Sequence, residues 1–174
     1  MDGKQASARD FSLDNIRFFL IFLVVFAHLL EECVPFFGSK LLYQFIYVFH
    51  MPAFLFLFGY NVRYSPKRIV YRWCIPYLIV QSGYLLVSKY VLHNDIVLQY
   101  TKPYWLLWYL LACIFYQLLL PLFDTKSKPR QILALTCTFA LALSVGFEDS
   151  IGYELSLSRF FVFQPCFLLG YYCK

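Results

Sequence analysis

The chain has 174 residues, of which 61% are hydrophobic, 22% aromatic and only 14% charged. A soluble domain carries about 25% charged residues, and a soluble chain of this length could not bury so much apolar surface in one core. The composition therefore excludes an ordinary soluble domain and predicts an integral membrane protein. The net charge of +5 does not indicate nucleic-acid binding, because the basic residues form short runs between apolar segments.

Six apolar segments follow one another along the chain, and each is a candidate membrane span. A helix needs about 20 mostly apolar residues to cross a bilayer, a length that the first four segments reach and the last two approach. We expect the first segment to remain as a span, since no small-residue cleavage site marks it as a signal peptide. The segments are residues 13–32, 43–62, 73–92, 104–123, 132–147 and 159–173.

Lysine and arginine in the connecting loops predict the orientation. They cluster before the first segment, after the second and after the fourth, and the positive-inside rule assigns these loops to the cytoplasm. The sequence thus predicts an all-α, polytopic transmembrane helix bundle of about six spans with both ends cytoplasmic. It divides into a cytoplasmic tail (1–12) and a transmembrane domain (13–174). The basic residues are Lys4, Arg9, Arg63, Lys67, Arg68, Arg72, Lys126, Lys128 and Arg130.

The first segment carries two polar residues that lipid does not favour. Arg17 and His28 are eleven positions apart, which corresponds to three helical turns plus about 20° and to about 16.5 Å of rise. They therefore share one stripe, with Asp14 and Glu31 on or beside it. Such a stripe is expected to face protein or water rather than lipid.

The second segment carries another histidine. Tyr43, Tyr47 and His50 share one helical face, and Pro52 lies two residues further on, where it disturbs the regular hydrogen bonding of the helix. If the two segments pack against each other in opposite directions, His28 and His50 lie at similar depth in the membrane.

Less specific interpretations of these residues stay open. Arg17 could extend to the cytoplasmic surface, and a membrane histidine could serve as a polar contact between helices. A metal site with Glu31 or Glu32 is conceivable, but two histidines on different helices are weak evidence, so no metal is predicted. The six cysteines are expected to be small apolar fillers.

Several motifs resemble membrane-bound acyltransferase family 3, including its fucose 4-O-acetylase-like members. "LDNIRFFLIFLVVFAH" is similar to the first span of that family, in which an arginine and a histidine frame the segment. "FHMPAFLFLFGY" is similar to the second span. "YWLLWYLLACIFYQLLLP" and "SRFFVFQPCFLLGYY" resemble later ones, so the resemblance covers nearly the whole chain.

The resemblance implies transfer of an acyl group, usually acetyl, from a cytoplasmic acyl-CoA to a carbohydrate hydroxyl of a cell-envelope glycan or sugar-lipid precursor. His28 would be the general base and Arg17 would serve the donor. The remaining assignments are supporting roles for His50, Tyr47 and Glu31, donor binding by Arg68 and Arg72, and acceptor stacking by Trp105 and Trp108. For these two tryptophans an aromatic belt at the outer surface, with Tyr100, Tyr104 and Tyr109, is the competing role. Ordinary positive-inside topology is the competing explanation for the two arginines.

Two departures from the family pattern bear on these expectations. Phe58 stands where the family has a serine before Gly59, and the family domain is about twice as long, which implies that this chain is an amino-terminal portion. A non-catalytic membrane protein or partner subunit, a homo-oligomer completing the site, and a proton or metal conduit are the alternatives. The resemblance implies a multi-pass protein of the plasma membrane, as in bacterial inner membranes, that contacts lipid, acyl-CoA and a carbohydrate.

Overall fold

The computed structural model describes residues 11–31, 37–93, 99–104, 106–147 and 154–174. Within these ranges the chain is almost entirely helical and has no strand, which confirms the all-α prediction. Each of the six predicted segments coincides with a helical region. The α-helices are α1 Phe11–Glu31, α2 Phe37–Asn61, α3 Pro66–Ile69, α4 Ile75–Tyr90, α5 Leu107–Phe123, α6 Lys128–Gly146 and α7 Leu157–Tyr172.

The third region begins earlier than predicted and contains a π-helical turn. Pro66 opens α3, a position where its fixed backbone angle suits a helix start, and the turn Val70–Cys74 then joins α3 to α4. Pro76 explains the turn, because its ring has no N–H for the carbonyl of Arg72 and would clash with it in a regular α-helix. The N–H of Ile75 donates instead to the carbonyl of Val70, five residues back.

Three of the described helices are long and apolar enough to cross a membrane: Phe11–Leu30, Lys40–Asn61 and Lys128–Gly146. Helices α5 and α7 have 17 and 16 residues, which correspond to only about 25 and 24 Å. The hydrocarbon core of a bilayer is about 30 Å thick. The total of six spans and the cytoplasmic location of both ends therefore stay predictions.

The chain forms two compact units, Met1–Phe54 and Leu55–Lys174. In the first unit the described elements are α1 and the greater part of α2. The second unit contains the last turns of α2 and all helices from α3 to α7. The tail predicted for residues 1–12 lies mostly outside the described residues, although Phe11 and Ser12 already belong to α1.

In the second unit, the carboxyl-terminal residues and two basic loops lie at the same end. Tyr172 Oη donates to the carbonyl of Phe123 at 3.0 Å, and Lys174 Nζ donates to the carbonyl of Val62 at 2.8 Å. These bonds place the last residues of α2, α5 and α7 at one level. We call this level the basic end; its cationic residues are Arg63, Lys67, Lys126, Lys128, Arg130 and Lys174.

Aromatic rings form the centre of the second unit. Tyr116 of α5 lies between Phe160 and Phe167 of α7, with ring centroids 4.7 and 4.6 Å away. Its hydroxyl donates to the carbonyl of Phe160 at 2.6 Å, so a nearly fully buried phenol keeps a hydrogen-bond partner. A second apolar cluster joins α3, α4 and α5.

Two glycines allow α2 and α7 to touch backbone to backbone. A Cβ atom on Gly59 would overlap the carbonyl of Phe167, and one on Gly170 would overlap the carbonyl of Phe56. Small residues at such crossings are typical of membrane helices, whose association depends on close packing. Phe58, beside the first glycine, packs its ring on Trp73 and Phe167. The family's serine is thus replaced by an apolar contact.

Candidate active site

The arginine and the histidine of α1 lie at one edge of its buried face. Leu20 is 2% and Ala27 is 3% exposed, so these residues mark the centre of that face. Arg17 and His28 are both half-buried, and the unbroken helix places them three turns apart. The stripe predicted from their spacing is therefore present in the fold.

Arg17 is held by an acidic residue one turn earlier. Its Nη1 donates to Oδ1 of Asp14 at 3.1 Å, and the two side chains are 41% and 31% exposed. This partial exposure suits a cation at the boundary of the apolar region, with its stem against protein and its head near water. The bond engages one of the five N–H groups of the guanidinium, a group whose geometry suits binding of two anions at once.

His50 is buried and its ring is oriented by the backbone. Only 2% of the residue is exposed, and Nδ1 lies 2.7 Å from the carbonyl oxygen of Ile46. A carbonyl can only accept, so Nδ1 carries the proton. In the neutral imidazole this leaves the lone pair on Nε2, which makes Nε2 the basic atom of the ring.

The aromatic residues of α2 form a row beside this histidine. Tyr43 stacks on Tyr47 with centroids 5.7 Å apart, and Tyr47 meets the His50 ring edge-on at 5.5 Å. The face predicted from the helical spacing is thus observed. Tyr47 is 46% exposed, so one side of the row stays open while the imidazole behind it is covered.

The two histidines of the proposed site, His28 of α1 and His50 of α2, both belong to the first unit. His28 is half-buried and His50 is buried. Their matching depth in the membrane stays a prediction from helical rise. A neutral imidazole is the form that can accept a proton from a hydroxyl group.

Two of the predicted site residues cannot be placed. The side chain of Glu31 lies outside the described part of the structure, although its backbone forms the last residue of α1. Trp105 lies wholly outside the described residues. Their proposed supporting and acceptor-binding roles stay predictions.

The predicted donor-binding arginines flank a change in helix type. Arg68 belongs to α3 and Arg72 to the π-helical turn, and both side chains are exposed near the basic end. Single π-helical turns are frequent at functional sites because they break the regular presentation of side chains. A spacing of four residues would place the two arginines on one face of a regular α-helix. The π-helical turn that contains Arg72 changes that spacing on the helix surface.

Trp108 occupies a different environment from the one predicted. It is only 4% exposed, its ring stacks on Phe163 at 5.7 Å, and the Arg159 guanidinium lies 5.3 Å from the ring centroid. A surface anchor or an open stacking platform requires an accessible face, which this buried indole lacks. Packing of Trp108 against α7 is favoured over exposure at the surface, because burial of a tryptophan removes a large apolar area from water.

Gln81, a polar residue inside the third apolar segment, makes a central contact in the structure. It is 1% exposed, Nε2 donates to the carbonyls of Gln99 and Lys102, and Oε1 accepts from the N–H of Tyr104. A buried glutamine in an apolar helix needs such partners. The polar residue inside the third segment was the available signal, but its partners are distant in sequence.

Metal-ligating side chains do not converge in the part of the chain that the structure describes. No group of three or more His, Cys, Asp or Glu residues with metal-binding geometry occurs there. Five of the six cysteines fall within the described ranges and are free thiols: Cys74, Cys113, Cys137, Cys166 and Cys173. A metal site is therefore not assembled from the described residues.

Comparison with known proteins identifies the domain family of the chain. The profile of the acyltransferase domain of family 3 matches residues 10–174, which is almost the whole chain. The search of curated proteins and the search of solved structures each returned no match. The matched range includes Arg17, His28 and His50. With its long apolar helices, the chain is a membrane protein and belongs to acyltransferase family 3.

Proposed function

We propose that this chain takes part in transfer of an acyl group, with acetyl as the proposed group, from acyl-CoA to a carbohydrate hydroxyl at a bacterial plasma membrane. The observation that carries the proposal is the match of the acyltransferase domain to residues 10–174, in a chain whose first unit contains the half-buried His28 and the buried His50. Acetyl-CoA is the proposed donor, and a cell-envelope glycan or sugar-lipid precursor is the proposed acceptor.

His28 is the proposed general base. It is half-buried, so a substrate can reach it while bulk water is restricted. The imidazole accepts the proton of the acceptor hydroxyl as its oxygen attacks the thioester carbonyl. The carbon–sulfur bond then breaks, the acyl group stays on the acceptor oxygen, and the proton passes to the departing CoA thiolate.

His50 is the proposed positioning partner of the base. Its Nδ1–H bond to Ile46 fixes the ring, and its burial keeps the ring covered by protein. Tyr47, packed against the same ring, is the proposed link between the histidine and the open side of the row.

Arg17 is the proposed anion-binding residue of the first unit. It lies about 16.5 Å along the helix from His28, too far for direct contact with the reacting atoms but suitable for a distant phosphate of the donor. Arg68 and Arg72, on the second unit, are proposed to bind phosphate groups of the nucleotide. Their exposure supports this assignment.

The test is substitution of His28 in the intact protein. His28→Ala is expected to abolish acylation of the cell-envelope glycan, measured by mass spectrometry, because the hydroxyl loses its proton acceptor. His93→Ala is the matched control, since this third histidine is exposed and outside the proposed site. Wild-type acylation by a membrane-inserted His28→Ala protein would refute the assignment.

A further inference from the structure

The link between α5 and α6 and the start of α6 carry three cations that no described acidic side chain neutralises. Lys126, Lys128 and Arg130 are exposed at the basic end, and none of them forms an ion pair with a residue that the structure describes. Asp124 is the acid nearest to them in sequence, and its Oδ1 accepts from the hydroxyl of Tyr171 at 2.8 Å. The three cations are therefore available to an anion from outside the chain.

The backbone of this link is held against the first turn of α6. The N–H of Ser127 donates to Oγ1 of Thr125 at 3.3 Å, and Nε2 of Gln131 donates to the carbonyl of Thr125 at 2.8 Å. These bonds fix the backbone that carries Lys126 and Lys128. Ser127 makes no side-chain capping bond, so the first N–H groups of α6 add partial positive charge nearby. An anion that binds here has little chain to order.

Helix α6 places these cations at the boundary of a bilayer. Its 19 residues correspond to about 28 Å, close to the hydrocarbon thickness of about 30 Å, and it is long and apolar enough to span. Lys128 and Arg130 lie in its first turn, so they reach the level of the lipid phosphates when α6 crosses the membrane. Lysine and arginine side chains extend readily towards that level.

Most of the surface of α6 is left uncovered by its neighbours. Among the described elements of the second unit, α6 packs along its length against α7 alone. The residues buried in that contact are Thr138, Ala142 and Val145, all on one side of the helix. The other sides of α6 are exposed and predominantly apolar, which suits contact with lipid chains.

One exposed stripe of α6 joins a cation to apolar side chains. Ile132 and Phe139 lie four and eleven residues after Lys128, which rotates them by only about 40° and 20° from it. They are 65% and 58% exposed. Phe139 lies about 16.5 Å further along the helix than Lys128, close to the roughly 15 Å of hydrocarbon in one leaflet. The stripe therefore follows the length of a lipid chain below its headgroup.

An anionic phospholipid matches both features of this surface. Its phosphate complements the three cations, and its acyl chains complement the apolar stripe that begins beneath them. A soluble phosphate compound would use the cations and leave the stripe without a partner. Guanidinium and ammonium groups together bind phosphate oxygens well, because the arginine can donate two parallel hydrogen bonds.

We propose that Lys126, Lys128 and Arg130 bind the headgroup of an anionic phospholipid, whose acyl chains lie along Ile132 and Phe139. The lipid belongs to the leaflet that meets the basic end. The site uses none of the residues assigned to acyl transfer, and its occupation does not depend on that proposed function.

The experiment is native mass spectrometry of the purified intact protein in detergent with added phospholipid. Phosphatidylglycerol and phosphatidylcholine both carry a phosphate and two acyl chains, but only the first has a net negative charge. We expect phosphatidylglycerol to bind about tenfold more tightly or better. Glycerophosphoglycerol, the same headgroup without acyl chains, is not expected to displace it.

Two double variants locate the site, since each removes one lysine and one arginine from the basic end. Lys128→Gln/Arg130→Gln is expected to weaken phosphatidylglycerol binding about 25-fold, at about fivefold for each cation. Arg63→Gln/Lys67→Gln is the matched control and is expected to leave binding unchanged. The charge-conserving variant Lys128→Arg/Arg130→Lys is expected to retain binding, which separates loss of charge from loss of structure.

Several outcomes overturn the inference. Equal losses in the two double variants would show diffuse attraction to the whole basic end, and equal binding of the two lipids would show that headgroup charge plays no part. Displacement by glycerophosphoglycerol or by acetyl-CoA would assign the cations to a soluble phosphate compound. A lipid-free dimer that dissociates on the substitution Phe139→Ser would assign the exposed face of α6 to a second copy of the chain.

Discussion

At the scale of single residues, the polar groups of this apolar chain are stabilised by nearby partners. Arg17 is paired with Asp14, His50 with the carbonyl of Ile46, and Gln81 with the backbone of a loop. An unpaired polar group in an apolar environment is costly, whereas a paired one is tolerated and oriented. Each hydrogen bond therefore lowers the cost of burying the polar group and also fixes the direction of its side chain.

Substitution of Asp14 is expected to affect ligand binding more than folding. The Asp14–Arg17 pair is partly exposed, so Asp14→Asn should lower the free energy of unfolding by no more than about 1 kcal/mol. Loss of the carboxylate releases the guanidinium from its fixed position, and we expect a raised KM for acyl-CoA. Asn15→Ala is the control at an exposed neighbouring position. An unchanged KM in Asp14→Asn would count against a donor-binding role for Arg17.

Substitution of Gln81 is expected to destabilise the protein more than the same substitution at Gln117. Gln81→Leu leaves three loop backbone groups without their partner, at a cost of about 1–3 kcal/mol per buried unsatisfied group. Gln117 is similarly buried, but its Nε2 donates to the carbonyl of Cys113 in its own helix, a carbonyl that also accepts from the helix backbone. Thermal unfolding in detergent measures both variants. Equal losses of stability would show that the loop contacts contribute little.

At the scale of elements, helix ends and crossings depend on a few residues with special backbone properties. Pro76 accounts for the π turn between α3 and α4 by removing one donor. Gly59 and Gly170 account for the crossing of α2 and α7 by removing two side chains. Gly59 belongs to the segment FHMPAFLFLFGY, which is similar to the second span of the family. The close crossing of α2 and α7 is the physical reason for a glycine at this position.

The crossing predicts a large difference between two glycine substitutions. Gly59→Ala places a methyl group on the backbone of Phe167, so the helices must separate, with an expected loss of about 1–3 kcal/mol or more. Gly83→Ala is the matched control, because a Cβ there meets nothing within 4 Å and alanine favours helix. The midpoint of thermal unfolding should fall for the first variant only. A similar midpoint for both would contradict the close crossing.

At the scale of the whole molecule, the charge distribution predicts the orientation in the membrane. The hydrogen bonds of Lys174 and Tyr172 gather two basic loops and the end of α7 at one level of the second unit. A common level is what the positive-inside rule requires of loops that face the cytoplasm. That rule assigns the basic end to the cytoplasmic side of the membrane.

Labelling of introduced cysteines in intact cells measures this orientation. Tyr64 and Ser127 are exposed residues in two different loops of the basic end. The two variants are Tyr64→Cys and Ser127→Cys. We expect both to resist an impermeant maleimide in intact cells and to react after permeabilisation, since the basic loops face the cytoplasm. Native cysteines are removed in both variants. Reaction of either residue in intact cells would overturn the predicted topology.

The amino-acid sequence by itself determined the membrane class, the helical segments and the stripe formed by Arg17 and His28. These follow from composition and from local periodicity, which depend on neighbours a few residues apart. It also predicted the row of Tyr43, Tyr47 and His50, because that row lies on one helix. The helical breaks were less predictable, as the earlier start at Pro66 and the π turn show.

Only the tertiary structure decided the contacts between segments distant in the chain. Burial of Trp108, the backbone crossing at Gly59 and Gly170, and the attachment of loop 99–104 to Gln81 all depend on partners far away in sequence. Local pattern carries no information about which distant group satisfies a buried glutamine or which face of a tryptophan is covered. Those outcomes are set by close packing and by the need to pair every buried polar group.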